Sequence, residues 1–332
     1  MENQYPQYLS LLRAGPAVFP QIMTLGTGGP SVPAVGVGTW QWGDRMYWGF
    51  GKEFTERDVW EAFEESVRAG LTLFDTAEIY GAGRSERFLG EFIRQTRAPA
   101  VVATKFMPFP TRLTGASLGK ALERSLKRLG IPAVDLYQMH YPFPPVSIET
   151  WMDAMADAVR AGLVRAVGVS NYSAAQMRAA HAHLARRGIP LAANQVKFSL
   201  LDRGPLHDGL LDAARDLGIT IIAWGPLAKG VLSGKYSAQH RPPGMRARRF
   251  TAEAFRRITP LLGRLGEIAA ARGKTHAQVA INWCLAKGTL PIPGAKTGAQ
   301  ARENAGALGW ALTEDEVTAL DASGDGALVP GG

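Results

Sequence analysis

The 332-residue chain contains a single cysteine, Cys284, which excludes an intrachain disulfide. This scarcity is typical of a reducing compartment, and we expect a cytoplasmic location. No apolar run is long enough to span a bilayer, and the first residues, with Glu2 and only a short apolar patch at 9–12, do not form a secretory signal. Cys284 lies in the apolar segment 279–285, which predicts a buried helix residue.

Motifs for metals, open nucleotide-binding sheets and nucleic acids are also missing. No cluster of histidine, cysteine and carboxylate residues has the spacing of a metal site, so no metal is expected. No G-x-G-x-x-G motif opens a helix after the first predicted strand, which argues against a doubly wound sheet. The net charge is +8, with arginines clustered between 241 and 257, but no recognition helix accompanies them. We therefore do not expect a nucleic-acid partner, although the same charge favours a polyanionic cofactor.

What the sequence does contain is a regular alternation of strand-like and helical segments. Several strand-like runs are apolar throughout, which is typical of a parallel sheet buried on both faces. The predicted strands are residues 34–38, 71–75, 100–105, 134–140, 164–170, 191–198, 219–224 and 290–293. The predicted helices are residues 55–69, 114–129, 173–187, 205–217, 299–308 and 313–323. Most of the helical segments are followed by glycine or proline, the usual stop signals.

Eight successive strand–helix units predict one α/β domain over residues 1–332, a closed (β/α)8 TIM barrel. Residues 1–30 are expected to form an N-terminal extension and a hairpin at the bottom of the barrel, with its turn at 26–30. The segment from Gly225 to about Arg257, after the seventh barrel strand, is too long for a plain connection. Long structured loops usually serve function. Two C-terminal helices follow the eighth strand.

Four residues suited to acid–base chemistry lie at or just beyond the ends of predicted strands: Asp75, Tyr80, Lys105 and His140. Each residue type alone is more often structural, but parallel barrels place such strand ends at one rim. The Lys105 ammonium can lower the pKa of the Tyr80 phenol, and Asp75 can hold Lys105 charged. His140 can polarise a carbonyl oxygen. The combination predicts a proton donor for a carbonyl group.

At these residues the sequence resembles the aldo-keto reductases, and the resemblance extends from about Val35 to Leu320. The matching stretches include residues 36–40, 74–81, 103–105, 134–140, 167–172, 224–227, 230–236 and 292–296. The tetrad of that family falls on the four residues named above without a substitution. The resemblance implies hydride transfer from a nicotinamide to a carbonyl carbon, with Tyr80 as the general acid.

The same resemblance implies a set of cofactor-binding residues. Ser170, Asn171 and Gln195 would hold the nicotinamide carboxamide, and Trp224 would stack on its ring where the family usually has a tyrosine. The remaining members are Gly225, Leu227, Gly230, Ser233, Lys235, Gly294, Lys296, Thr297, Gln300, Glu303 and Asn304. Lys296 and Thr297 can bind a 2′-phosphate, with Arg302 as a further candidate, so the expected cofactor is NADPH or NADP+. Asn171 could also cap the helix that follows, alone or together with the cofactor role, and Lys296 could instead be a solvated loop residue.

Residues 38–44, 280–289 and 306–310 are similar to a narrower branch, the pyridoxal reductase-like proteins of plant plastids and bacteria. This implies a small-molecule carbonyl substrate, pyridoxal or another aromatic or biosynthetic carbonyl, in a pocket with aromatic walls. The predicted wall residues are Trp40, Trp42, Trp48, Phe106 and Tyr141, with Tyr47 and Phe143 nearby. Any of these could instead belong to the core. A monomer is favoured.

The leading hypothesis is an NADPH-dependent carbonyl reductase. One alternative is an NADPH-binding regulatory protein with slow turnover, because the family includes β-subunit-like partners of potassium channels that retain a tetrad. Another is a reductase of imines, or a redox-neutral biosynthetic step in the same pocket. Turnover of a carbonyl substrate distinguishes the first hypothesis from the second, and product analysis with labelled hydride distinguishes the third.

Overall fold

A short hairpin precedes the barrel in the computed structural model, which describes residues 21–325. Strand β1 (Ile22–Thr24) pairs antiparallel with β2 (Ser31–Pro33). Leu25 and Val32 are buried against side chains of the barrel interior. Gly26 N also donates to Thr220 Oγ1 at 2.8 Å, at the amino-terminal end of a barrel strand. The hairpin therefore covers the bottom of the barrel, as predicted. The patch at 9–12 and the rest of segment 1–20 lie outside the described residues.

Eight parallel strands form the barrel, each paired with its neighbours in chain order. They are β3 (Val37–Gly38), β4 (Leu73–Asp75), β5 (Val101–Phe106), β6 (Val134–Met139), β7 (Val164–Ser170), β8 (Leu191–Lys197), β9 (Thr220–Trp224) and β10 (Leu290–Ile292). The first and last strands close the ring, because Gly36 N and Gly38 N donate to the carbonyls of Pro291 and Pro293 at 3.0 Å. The predicted TIM barrel is confirmed, although its first strand is shorter than residues 34–38.

Eleven α-helices lie in the described residues. They are α1 (Glu56–Arg68), α2 (Arg84–Thr96), α3 (Gly115–Leu129), α4 (Ile148–Arg160), α5 (Ala174–Ala185), α6 (Leu210–Asp216), α7 (Arg246–Arg249), α8 (Ala252–Arg272), α9 (His276–Ala286), α10 (Gly298–Ala305) and α11 (Glu314–Asp325). Thr55, Thr114 and Ser173, where three helices were predicted to begin, are N-caps one residue before the helix. None of the helices in residues 21–325 is long and apolar enough to cross a membrane.

The helix predicted over residues 205–217 is wrong in its first half. A 3-10 turn at Gly204–Leu206 is followed by Gly209, whose φ of 74° lies in the left-handed region, and α6 begins only at Leu210. Because a left-handed residue interrupts helical hydrogen bonding, the segment cannot be one continuous helix.

The long connection after β9 runs from Gly225 to Thr251, which caps α8. It contains a 3-10 segment, Ala228–Ser233, and the short helix α7. The predicted end near Arg257 was therefore too late by about one and a half turns of α8. Cys284 is fully buried on α9, as predicted.

Candidate active site

Lys105 is the centre of the polar site at the carboxyl-terminal rim of the barrel. Its Nζ donates to Asp75 Oδ1 at 2.5 Å, to Thr76 O at 3.0 Å and to Tyr80 OH at 3.2 Å. An ammonium has three donors and no acceptor, so these contacts use it fully and Tyr80 accepts in the third of them. The phenolic hydrogen of Tyr80 is therefore free to point into the neighbouring cavity. Asp75 and Lys105 meet because β4 and β5 are adjacent in the sheet.

The loop that carries Tyr80 adopts an unusual backbone. Gly81, Ala82 and Gly83 all have positive φ values, of 55°, 57° and 81°. A Cβ atom on Gly81 would stand 2.8 Å from the backbone of Gly43, so both the conformation and the close approach require glycine there. Tyr80 lies five residues after Asp75 in the chain and directly before this tight turn. Its hydroxyl contacts Lys105.

Burial and neighbouring charges act in opposite directions on the pKa values of Tyr80 and Lys105. The pKa of Tyr80 is raised, because burial outweighs the opposing effect of the Lys105 ammonium. For Lys105, burial lowers the pKa, but Asp75 and Tyr80 together outweigh burial and the pKa is raised. Lys105 thus lowers the pKa of Tyr80 as expected, but the net shift is upward because burial is the larger effect. The phenol stays protonated and the lysine charged at neutral pH, as a proton donor requires.

His140 follows β6 directly and faces the same cavity. Its ring stands edge-on to the Tyr80 ring, with the centroids 5.9 Å apart. Burial, with a smaller contribution from the Lys105 charge, lowers its pKa to about 3. The imidazole is therefore neutral at physiological pH. A neutral imidazole can donate one hydrogen bond to a carbonyl oxygen without competing as an acid.

A cavity of about 590 Å³ opens beside Asp75, Tyr80 and His140. All fifteen predicted cofactor-binding residues line it: Ser170, Asn171, Gln195, Trp224, Gly225, Leu227, Gly230, Ser233, Lys235, Gly294, Lys296, Thr297, Gln300, Glu303 and Asn304. Lys105 lies behind Asp75 and Tyr80, fully buried. The structure thus brings the predicted site residues together at one rim.

Hydrogen bonds fix the end of the cavity nearest Tyr80. Asn171 Nδ2 donates to His140 O and Ser170 Oγ at 3.0 Å each, and Trp224 Nε1 donates to Asn171 Oδ1 at 3.1 Å. The indole of Trp224 is thereby held in one orientation. The cap of α5 is Ser173, so the alternative reading of Asn171 as a helix cap is wrong.

Cations cluster at the far end of the cavity. Lys296 Nζ donates to Trp48 O at 3.1 Å and to Glu53 Oε2 at 3.2 Å, and burial lowers its pKa, so the alternative of a solvated loop lysine is wrong. Thr297 is the N-cap of α10. Arg302 instead extends outward, 60% exposed, and pairs with Glu65.

Arg246, on α7 of the long loop, lines the same end of the cavity and was not predicted from the sequence. Its side chain is 4% exposed and lies over the Trp48 ring, 5.1 Å from the centroid. Its Nε has no hydrogen-bond partner within the described residues, and the nearest Glu53 oxygen is 3.8 Å from Nη2. The cluster of arginines between 241 and 257 was the only sequence feature that pointed to this residue, but it did not show which arginine faces the cavity.

Two of the predicted wall residues are in the core. Trp42 and Phe106 are both 0% exposed. Trp42 Nε1 donates to Ala295 O at 2.9 Å, and Phe106 packs on Trp151 with ring centroids 5.0 Å apart. Phe106 directly follows Lys105 on β5, and successive strand residues face opposite sides, so it points away from the cavity.

The other three predicted wall residues, Trp40, Trp48 and Tyr141, line the cavity. The Tyr47 ring stacks on Trp40 with the ring centroids 5.1 Å apart, and the exposed Phe143 ring stacks on Tyr141 with the centroids 4.8 Å apart. The walls near the catalytic groups are thus aromatic and held by further aromatic rings.

Comparison with known proteins places this site in a family. The family model described as "Aldo/keto reductase family" matches residues 34–325. The chain belongs to the aldo/keto reductase family. Chloroplastic pyridoxal reductase from Arabidopsis thaliana is 42% identical over 304 residues, which cover 88% of this chain and 83% of that protein. The predicted similarity to the pyridoxal reductase-like branch is thereby confirmed.

Solved structures of aldo/keto reductases share the barrel. The glycerol dehydrogenase of Gluconobacter oxydans superposes with a TM-score of 0.80 at 26% identity, covering 91% of this chain and 94% of that one. An aldo/keto reductase from Klebsiella pneumoniae, solved in complex with NADP and acetate, has a TM-score of 0.68 at 27% identity, covering 90% of this chain and 95% of that one. The family membership makes this protein an oxidoreductase of the carbonyl-reducing type.

Proposed function

We propose that this protein reduces an aromatic aldehyde or ketone to an alcohol with NADPH, and that Tyr80 is the general acid. The observation that carries the proposal is the buried chain Asp75–Lys105–Tyr80, whose free phenolic hydrogen borders a large cavity. Neither a structural core nor a simple binding pocket requires a charged lysine buried against a tyrosine hydroxyl, because burying a charge is unfavourable unless it is paired.

The cavity suits a dinucleotide with a 2′-phosphate. Arg246 Nε is buried without a partner in the described residues, which is unfavourable unless an anion completes its hydrogen bonds. Lys296, Lys235 and the amino terminus of α10 at Thr297 face the same space. This donor set favours NADPH over NADH, because only NADPH carries a phosphate on the 2′ position of the adenosine ribose. The related Klebsiella pneumoniae reductase was solved in complex with NADP.

Each residue then has a defined task. NADPH, when bound, supplies the hydride to the carbonyl carbon. Tyr80 donates its proton to the carbonyl oxygen, while Lys105 stabilises the phenolate that remains. His140, neutral at working pH, donates a hydrogen bond to the same oxygen. Trp224, fixed by Asn171, provides a flat face against which a nicotinamide ring can stack.

The aromatic walls favour a flat substrate. Trp40 and Tyr141 border the catalytic groups, each supported by a stacked ring. Such walls bind aromatic rings better than small aliphatic aldehydes. Since the plant relative is named a pyridoxal reductase, pyridoxal is the first compound to test.

The experiment is a spectrophotometric assay of NADPH oxidation against pyridoxal, benzaldehyde, propanal and acetone, with Tyr80→Phe as a matched variant. We expect turnover on the aromatic aldehydes, and a loss of about 10²–10⁴-fold in kcat for the variant with unchanged NADPH affinity. Full activity in Tyr80→Phe would contradict the acid assignment. NADPH binding without turnover of any carbonyl would favour the regulatory alternative.

A further inference from the structure

Gln138 is a fully buried amide in the interior of the barrel. It lies on β6 two residues before His140, so the two side chains project from the same side of the chain. The adjacent strand makes room for it at Gly168, where a Cβ atom would stand 2.9 Å from Gln138 Cγ. The chemistry proposed above leaves this amide without a role.

Asp75 connects Gln138 to Gln195. Gln138 Nε2 donates to Asp75 Oδ2 at 3.0 Å, and Gln195 Nε2 donates to the same oxygen at 2.8 Å. Gln195 Nε2 also donates to Gln138 Oε1 at 3.2 Å. Because a carboxylate only accepts hydrogen bonds, both amides must turn their NH₂ groups toward Asp75.

Both amide hydrogens of Gln195 are therefore in use. Its Oε1 has no hydrogen-bond partner among residues 21–325, and the side chain lines the cavity. This oxygen is the atom through which Gln195 can bind a ligand. As an amide oxygen, it can only accept a hydrogen bond, for example from an N–H group. Without Gln138, the Gln195 amide would lose one of the two acceptors that hold its NH₂ group and would keep only Asp75.

We propose that Gln138 is a positioning residue: as the second acceptor of the Gln195 NH₂ group, beside Asp75, it holds the Gln195 amide with its carbonyl oxygen toward the cofactor cavity. The inference rests on the proposed function, because the nicotinamide carboxamide carries the N–H groups that Gln195 would accept. The carboxamide site and the chain Asp75–Lys105–Tyr80 then form one hydrogen-bonded unit.

A second effect follows at Tyr80. Burial raises the pKa of Tyr80 most, and the negative charge of Asp75 raises it further. The amide dipole of Gln138 disperses that charge. Its removal should therefore move the titration of Tyr80 to higher pH, whether or not a cofactor is bound.

The first test is Gln138→Met, which keeps the side-chain volume approximately and removes the hydrogen bonds. We expect the NADPH dissociation constant, measured by fluorescence titration, to rise about tenfold, and kcat to fall by a similar factor. In the cofactor-free protein, ¹³C NMR of labelled tyrosine should show Tyr80 titrating at higher pH. Leu136→Met, two residues earlier on β6, is the control for interior repacking and should behave like wild type in all three measurements.

The second test is Gln138→Glu. The introduced carboxyl group, when protonated, can donate to Asp75 and accept from Gln195 as the amide does. When ionised, it repels Asp75. We expect near wild-type kcat at low pH and a loss of activity as the pH rises, over a range in which the wild-type rate is flat.

Wild-type values of all three measurements in Gln138→Met would overturn the proposal and leave Gln138 as a filler of the core. If that variant does not fold, a pH profile of Gln138→Glu identical to wild type has the same meaning. Failure of the proposed function looks different, because the wild-type protein itself would then neither bind NADPH nor reduce a carbonyl. In that case the Tyr80 titration in the cofactor-free variants still decides whether Gln138 acts on Asp75.

Discussion

Individual residues explain why this site is a proton donor rather than a nucleophile. Lys105 is charged, and its three N–H groups donate to Asp75, Thr76 and Tyr80. A charged ammonium has no free lone pair, so Lys105 is not available as a nucleophile. The hydrogen of Tyr80 is not used in the contact with Lys105, which is the reason for proposing Tyr80 as the proton donor. The sequence identified these residues correctly as a converging set, but it could not show that burial outweighs Lys105 in setting the pKa of Tyr80.

The pKa directions predict a flat pH profile for carbonyl reduction. Tyr80 must be protonated to act as the acid. Its pKa is raised above the usual value of 10.0, so the hydroxyl loses its proton only above pH 10. His140 becomes charged only near pH 3. We expect kcat with NADPH to be constant between about pH 6 and 9. Stopped-flow or steady-state rates across that range check this, and a midpoint near pH 6.5 would show that His140 titrates as an ordinary imidazole.

Arg246 should discriminate between the two nicotinamide cofactors. Arg246→Ala removes a buried guanidinium that can bind a 2′-phosphate, so KM for NADPH should rise about 10- to 100-fold while KM for NADH stays within about twofold. Arg248→Ala, an exposed neighbour on α7, is the control and should change neither constant. An equal rise in KM for NADPH and NADH would mean that Arg246 only stabilises the loop and does not bind the 2′-phosphate.

Helix termini were the most predictable elements, because their signals are local. The start of α5, for example, carries a capping box in which Ser173 and Gln176 exchange hydrogen bonds with each other's backbone. The loops were less predictable. The 3-10 segment Ala228–Ser233, which borders the cavity, includes Lys229 at a φ of 60° and Gly230 at 91°, and no local sequence signal predicted these left-handed residues.

Two glycines in neighbouring helices should respond oppositely to alanine. A Cβ atom on Gly90 of α2 would stand 2.1 Å from Leu129 O, whereas at Gly119 of α3 nothing lies within 4 Å. We expect Gly90→Ala to lower the free energy of unfolding by more than about 2 kcal/mol. Gly119→Ala should raise it by about 0.5–1 kcal/mol, because alanine is the better helix former. Urea unfolding of both variants measures these free energies. Similar free energies of unfolding for the two variants would contradict the close packing of α2 on α3.

The whole molecule combines a net charge of +8 with a cavity bordered by Lys229, Lys235, Arg246 and Lys296. Closure of the barrel creates this arrangement, since it brings the loop after β9 opposite the segment between β3 and α1. Cation–π contacts of Lys229 with Tyr47 and of Arg246 with Trp48 join the two loops across the cavity.

Salt should therefore weaken cofactor binding without slowing the chemistry. Raising NaCl from about 0.05 to 0.5 M should increase KM for NADPH several-fold, because screening reduces attraction between the cations and the phosphates. The kcat value should hardly change, since Lys105 and Asp75 are buried and poorly screened. NADH, with no 2′-phosphate, should show a smaller effect. Equal salt dependence of the two cofactors would argue against a cationic 2′-phosphate site.

The sequence by itself determined the order of the eight barrel strands and the starts of three helices, because these depend on local periodicity and capping signals. The four rim residues and the proposed cofactor loops came from motifs that resemble those of the family. Tertiary structure alone decided which side chains face the cavity. Trp42 and Phe106 belong to the core, while Arg246 lines the cavity and Gln138 donates to Asp75, two contacts that the sequence did not predict. The direction of a loop side chain depends on contacts between segments far apart in the chain, such as Trp42 with Ala295, and these exist only once the barrel has closed.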